Sequence, residues 1–327
     1  MTLVKTCGKL YWAGEYAILE PGQLALIKAI PIYMTAEITA SDGYRLYSDM
    51  FTYSVDLRPD SSYTLIQETV ALVEEYLTVQ GVKLQPFSLD IRGKMEREGK
   101  KFGLGSSGSV VVLVIKAMLA FYGRPVDREF LFKLASAVLL KRGDNGSMGD
   151  IACIVSEDLV LYQSFDREKV AHWLEKEDLQ PVLDRDWGFS IESVEPGLEF
   201  DFLVGWTKEV AVSSHMVKQI KNHMDASFLQ ASKKTVANLV KALQTGHEEK
   251  VIEQLEQASL LLEDLSSDIY TPSLRQLKNA SRDLKAVAKS SGAGGGDCGI
   301  ALSFDQDSTT LLKKRWADLG IELLYQE

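Results

Sequence analysis

Apolar and polar side chains alternate through residues 24–40, LALIKAIPIYMTAEITA, a run rich in β-branched residues that ends in the turn Ser41-Asp42-Gly43; the period of two predicts a long strand. Shorter runs at 44–49 (YRLYSD), 51–57 (FTYSVDL) and 87–93 (FSLDIRG) predict further strands. Residues 62–81 instead carry Leu65, Val70, Leu72, Val73 and Leu77 on a helical spacing closed by Gly81. SVVVLVIKAMLAFYG (109–123) is apolar nearly all round and predicts a buried helix. DREFLFKLASAVLLKRG (127–143) predicts a second, amphipathic one. DIACIV (150–155), DLVLYQSF (158–165) and EFDFLVGW (199–206) look like strands. Beyond residue 214 helical periodicity dominates, as in FLQASKKTVANLVKALQTG (228–246) and EEKVIEQLEQASLLLEDLS (248–266). A glycine-rich stretch at 290–299, expected to follow a helix, then leads into a strand, a helix at 309–320 and a strand at 321–326. The change in character places a domain boundary within residues 190–200, and no repeat period is present.

A length of 327 residues suits two domains or one large one, and 46% hydrophobic with 25% charged residues is enough for a proper core. The net charge of −10 argues against general binding to nucleic acid or membrane surfaces, yet leaves room for a small basic pocket. Cys7, Cys153 and Cys298 are odd in number and show no zinc spacing, so free thiols in a reducing compartment are expected. Cys298 lies inside a glycine loop, where a reactive thiol is the minor alternative. Lysines interrupt the N-terminal residues, and residues 110–122 are too short and too charged to span a bilayer; a soluble cytoplasmic protein is expected.

Gly103-Leu104-Gly105-Ser106-Ser107-Gly108 satisfies the dinucleotide fingerprint G-x-G-x-x-G. That fingerprint requires a hydrophobic strand running into the first glycine. Here the approach is KMEREGKKF, and residues 92–101 hold five basic and two acidic side chains. An acidic residue about twenty positions on, Asp127, could serve a ribose, but the local charge suits a polyphosphate better. A helix N-terminus offers unpaired N–H groups and a positive dipole end, and adjacent hydroxyls can meet phosphate or Mg²⁺. A plain Gly/Ser loop with an N-cap serine is the structural alternative. The second glycine loop, five glycines within 292–299, suggests two walls of one anion site rather than two unrelated turns.

Three segments together, GKLYWAGEYAIL (8–19), GLGSSGS (103–109) and SSGAGGGDCGIAL (290–302), resemble the galactokinase, homoserine kinase, mevalonate kinase and phosphomevalonate kinase (GHMP kinase) superfamily in order and spacing. Tyr16 replaces a common histidine, Asp297 a common glycine and Gly108 a common alanine; the first two departures resemble the bacterial phosphomevalonate kinase branch, as do residues 143–153 and 205–217. The resemblance implies an α+β fold of two domains, 1–195 and 196–327: an N-terminal α/β domain with a left-handed βαβ unit and a C-terminal ferredoxin-like domain. It further implies transfer of the γ-phosphoryl group of ATP to 5-phosphomevalonate, with Mg²⁺. Mevalonate kinase or another small-molecule kinase of the superfamily is the alternative, and a dinucleotide-binding oxidoreductase the remote one.

By the same resemblance, Gly103, Leu104, Gly105, Ser106, Ser107, Gly108 and Ser109 wrap the ATP phosphates, with Ser107 on Mg²⁺ or, on the structural reading, capping its helix. Lys9 becomes the active-site cation beside the transferring phosphoryl group, and Asp150 the aspartate near the acceptor. A phosphate acceptor with a second pKa of about 6 is already a nucleophile at neutral pH, so Asp150 is expected to orient more than to deprotonate. Lys101, Ser147, Ser213, Gly292 and Ala293 are expected around the acceptor, with Ser214 and His215 as weaker candidates. Lys141 and Arg142 either reach the substrate or close their helix favourably.

Overall fold

In the computed structural model all residues are described except 126, 212–215, 217, 219, 221 and 222. Strand β1 (Thr2–Ala13) runs antiparallel to the long β2 (Leu24–Ala40), which the alternating pattern required. Around them β3 (Arg45–Ser48), β4 (Ser54–Val55), β5 (Phe87–Arg92), β8 (Leu159–Gln163) and β9 (Ser190–Ser193) complete a seven-stranded sheet of order β4-β3-β5-β2-β8-β9, with β1 on β2. A short exposed hairpin, β6 (Glu96–Arg97) with β7 (Lys100–Lys101), stands before the first glycine loop; it is no hydrophobic strand, in line with the charged approach.

Helices α1 (Thr64–Val79), α2 (Ser106–Phe121), α3 (Arg128–Lys141) and α4 (Gly149–Ser156) gather beside this sheet, α2 packing against β1, β2, α1, α3 and α4. That central place explains why α2 is apolar all round: Val111–Ile115 and Ala117–Leu119 are all buried. Asp127 is the N-cap of α3, its carboxylate accepting from Glu129 and Phe130 N–H, and so is committed to the helix rather than to a ribose. DIACIV is not a strand but the body of α4. A six-residue apolar run fits either element. Here Met148 and Glu157, both in the left-handed region (φ 65° and 55°), start and stop a two-turn helix. Helices α5 (Arg167–Lys176) and α6 (Leu179–Asp184) close this half.

The second sheet holds β10 (Asp201–Trp206), β11 (Ala286–Ser290), β12 (Cys298–Ser303) and β13 (Glu322–Gln326) in the order β11-β12-β10-β13, all antiparallel. With α7 (Ala226–Gln244), α8 (Glu248–Leu265) and α9 (Pro272–Asn279) between β10 and β11, and α10 (Gln306–Asp318) between β12 and β13, this is a ferredoxin-like arrangement. The glycine stretch does not follow a helix, as the sequence suggested; it is the turn joining β11 to β12. The main apolar core is continuous between the halves, with Trp12 of β1 stacked at 5.3 Å on Phe202 of β10. No described helix is long and apolar enough to cross a membrane.

Candidate active site

Strand β1 carries Lys9 to the mouth of a cavity of about 580 Å³ formed by the three glycine-bearing motifs. The Lys9 N–H is held by Leu104 O at 3.0 Å, which fastens the strand to the glycine loop. Its side chain runs along that loop, with the ammonium 3.4 Å from Gly103 O and 5.4 Å from the centre of the Tyr11 ring. Only 8% of Lys9 is exposed, so it is not a solvated surface lysine. Among the described residues no carboxylate lies within 4.0 Å of its ammonium, which leaves the charge available inside the cavity.

The glycine loop opens α2 with Gly105 as N-cap in the left-handed region (φ 80°) and no side-chain cap. Ser106 and Ser107 follow in the first turn and face the cavity, where N–H groups and the helix dipole favour an anion. Ser107 is exposed and does not cap, so its hydroxyl is free for a ligand. The loop's glycines have a second use. A Cβ at Gly105 would stand 2.7 Å from Lys9 Cε, one at Gly108 2.7 Å from Asp150 Oδ2, and one at Gly103 2.6 Å from Asp297 Oδ2. Their missing side chains make room for three charged groups as well as for a ligand. Gly108 therefore has a local reason for departing from alanine.

Three of the residues expected at the ATP phosphates do not line the cavity. Ser109 is fully buried beneath β1, its hydroxyl donating to Cys7 O at 2.7 Å while Thr6 Oγ1 donates to Ser109 O. The Leu104 side chain is core, and only its carbonyl has a role, toward Lys9. Gly108 likewise lies off the cavity wall, turned toward Asp150.

Asp150 sits in the first turn of α4, where the helix dipole favours a carboxylate. Burial pushes its carboxyl above the usual range, and the Lys9 charge is the largest opposing influence. Ser147, just before α4, shares a 3.0 Å hydrogen bond with Tyr11 Oη and accepts at its carbonyl from Tyr162 Oη. Arg167 secures this wall by donating to the carbonyls of Asn145, Gly146 and Leu19. Lys101 reaches the rim from β7. Lys141 and Arg142 instead pair with Glu75 and Glu68 on the outside of α3, away from the cavity. Ser213, Ser214 and His215 lie outside the described residues.

Gly292 and Ala293 form the opposite wall. Gly294 packs on Ile269, Gly295 faces Met216 and Gly296 faces Glu209, so these three shape the turn rather than the cavity. Cys298 is fully buried with its thiol pushed well above the ordinary range by that burial; it is not a reactive group. Sequence reasoning missed Tyr11, Glu15 and the cavity-facing role of Asp297. The signals were present as an acidic residue beside Tyr16 and an acidic residue within the glycines.

Asp297 is in the left-handed region (φ 56°), its Oδ1 accepting from Ala211 N–H at 3.2 Å. Burial raises its carboxyl from 3.8 to about 6, against the pull of that hydrogen bond, Lys9 and Lys101. Between those two pH values the folded chain binds more protons than the unfolded one, so stability falls as pH rises through this window and stays reduced above it. Asp297→Asn is expected to relieve roughly 1–2 kcal/mol at pH 7.5 and raise the melting temperature by about 2–4 °C, the gap closing toward pH 4. Calorimetry across pH tests this; a variant less stable than wild type at pH 7.5 would refute it.

A second crevice, about 670 Å³, lies where residues 194–202 cross between the sheets, with Trp12, Phe200 and Phe304 beneath a rim of carboxylates. It contains none of the glycine motifs, which line the smaller cavity.

Residues 64–157 match the GHMP kinases N terminal domain and residues 239–322 the GHMP kinases C terminal domain. Streptococcus pneumoniae phosphomevalonate kinase, solved in complex with phosphomevalonate and AMPPNP, is 74% identical, covers 100% of this chain and 99% of its own, and superposes with a TM-score of 0.99. This chain belongs to the GHMP kinase family. The Streptomyces sp. (strain CL190) phosphomevalonate kinase is a more distant GHMP relative, 29% identical across 96% of this chain and 93% of that enzyme. Methanococcus jannaschii mevalonate kinase, 19% identical over 100% of this chain and 98% of its own with a TM-score of 0.75, shares the GHMP fold.

Proposed function

We infer that this chain is a phosphomevalonate kinase, transferring the γ-phosphoryl group of ATP to 5-phosphomevalonate to give 5-diphosphomevalonate and ADP. The observation that carries the reading is the single cavity walled by the 103–107 loop and by Gly292 and Ala293, with the Lys9 ammonium between them. Its support is the 74% identical relative, whose structure holds phosphomevalonate and an ATP analogue.

Phosphoryl transfer needs alignment and charge neutralisation more than covalent help from the protein. The first turn of α2 receives the ATP phosphates through its N–H groups. Lys9 sits where donor and acceptor phosphates must approach, and offsets the repulsion between them. The acceptor phosphate, largely dianionic at neutral pH, needs no strong base, so Asp150 orients the acceptor and Lys9. Ser147 and Lys101 contribute from their two sides of the cavity; Ser213, expected at the acceptor, lies outside the described residues. The Ser107 hydroxyl fits Mg²⁺, which when bound neutralises phosphate charge. The described residues contain no group of three or more His, Cys, Asp or Glu that could hold a metal by themselves, which suits an ion carried largely by ATP phosphates. Residues 1–195 and 196–327 act as the two domains flanking this cleft, and the cytoplasm, where ATP is available, is the proposed compartment.

ADP release measured in parallel with mevalonate, phosphomevalonate and diphosphomevalonate tests the assignment. Phosphomevalonate is expected to exceed mevalonate in kcat/KM by at least about 10³-fold, because a site built around an acceptor phosphate leaves its charges unpaired with mevalonate, and diphosphomevalonate, the product of the reaction, is expected to support no turnover. Turnover with mevalonate alone would transfer the assignment to the mevalonate kinases.

A further inference from the structure

Beside the cavity, the first motif is joined by a buried ion pair to the strand that leads into the third. Lys289 Nζ lies 2.5 Å from Glu15 Oε1, the two side chains being 1% and 3% exposed, and it also donates to Ser290 O at 2.6 Å. Glu15 belongs to the first motif and lines the cavity; Lys289 is on β11, at the foot of the turn that presents Gly292 and Ala293. Two more bonds run alongside: Ser291 Oγ donates to Tyr11 O at 2.8 Å, and Tyr16 Oη to Ala293 O at 2.5 Å. Behind them Tyr270 Oη accepts from Ser290 N–H at 3.2 Å and shares a 2.6 Å hydrogen bond with Ser259.

The turn itself cannot set its own position. Four of residues 292–296 are glycines, with no side chain to brace them. Its far end is tied by Asp297, whose N–H donates to Glu209 O and whose carbonyl accepts from Thr207. Its near end is held by the β11–β12 ladder through Ser291 N–H to Cys298 O and its middle by Gly295 N–H to Ile269 O, while the Gly292–Ala293 wall is tied to the first motif by the bonds to Glu15, Tyr11 and Tyr16. A buried ion pair is weak support for stability, since apolar replacements are often as stable. What it supplies that apolar contact does not is a fixed distance and direction.

We propose that Glu15 and Lys289 are positioning residues for the acceptor, holding the Gly292–Ala293 wall in register with Lys9 and Asp150. The proposal rests on phosphomevalonate being the acceptor. It assigns the pair an effect on acceptor binding and turnover, and little on ATP, whose phosphates are received by α2.

The test uses the full chain with Glu15→Leu, Lys289→Met and both together. Each single change strands a buried charge and is expected to lower the melting temperature; the double change is expected to recover most of it. In the double variant KM for phosphomevalonate is expected to rise, and kcat to fall, by about tenfold or more, because a misplaced wall misaligns the reactants. KM for ATP is expected to stay within about twofold. Glu15→Gln, which keeps the shape and an acceptor oxygen, should show the same split at about threefold or more and covers the case of a double variant that does not fold. Wild-type acceptor kinetics in both variants, or an equal rise in KM for ATP, would overturn the proposal. Wild-type turnover is the control for the substrate. If wild type uses another acceptor, the substrate assignment fails and the same variants are read with the acceptor it does use.

Discussion

Lys9→Ala is expected to lower kcat by about 10³-fold while ATP affinity changes only a few-fold. The magnitude follows from what the ammonium faces. Donor and acceptor are both phosphates, and two unit charges 4 Å apart in a partly dry site interact by about 4 kcal/mol, worth about three decades of rate. Lys9 is 8% exposed and has no carboxylate within 4.0 Å among the described residues, so its charge is not already offset by a direct ion pair. On the proposed reading ATP is held mainly by the loop backbone and the α2 N-terminus, which Lys9→Ala leaves in place. Single-turnover rates paired with calorimetric ATP titration separate the two effects. A wild-type-like kcat, or a loss seen entirely as weakened ATP binding, would remove Lys9 from the transfer step. Asp150→Asn is expected to follow the same pattern, since the Asp150 carboxyl and Lys9 act on one another.

The place of Lys9 in the cavity was legible through the family resemblance of residues 8–19; a lysine within what proves to be a strand also conflicts with its surroundings, and such conflicts collect at functional sites. The 103–107 loop was legible because glycine with serine at a helix start answers a phosphate's need for close N–H donors, and the 292–299 stretch because a second run of glycines suggested the opposite wall. The failures have equally local causes. DIACIV satisfies strand and helix alike, and only the left-handed residues on either side decide for α4. Ser109 looked like part of a phosphate loop, but it stands two positions past Ser107, the last loop residue on the cavity, and turns under β1 to satisfy Cys7 O. The Glu15–Lys289 pair spans 274 positions, and no spacing rule reaches across that distance. The strand order of the second sheet places Lys289 at the foot of the turn, and the residues themselves carry no mark of it. Asp297 stood out only as a carboxylate among glycines; its meaning came from the space left at Gly103.

That dependence of one motif on the emptiness of another leads to the second large effect, at Gly105. Gly105→Ala adds one methyl group, yet is expected to reduce kcat/KM for ATP and acceptor alike by about 10²–10³-fold. Two costs coincide at this position. Gly105 holds φ 80° as N-cap of α2, a conformation in which a Cβ is strained, so the loop would shift its N–H groups off the phosphates. The new Cβ would also stand 2.7 Å from Lys9 Cε and 3.6 Å from Asp150 Cβ, pushing the Lys9 ammonium out of its place in the cavity. Gly22 is the matched control: its φ of 75° imposes the same backbone strain, but no atom lies within 4 Å of its Cβ position. Gly22→Ala is therefore expected to cost stability alone, about 1 kcal/mol, with kinetics unchanged. If Gly105→Ala keeps wild-type kcat and loses only ATP affinity, the loop's glycine serves the nucleotide alone. If kcat falls with it, the absent side chain is what lets the first motif's lysine stand inside the second motif's loop.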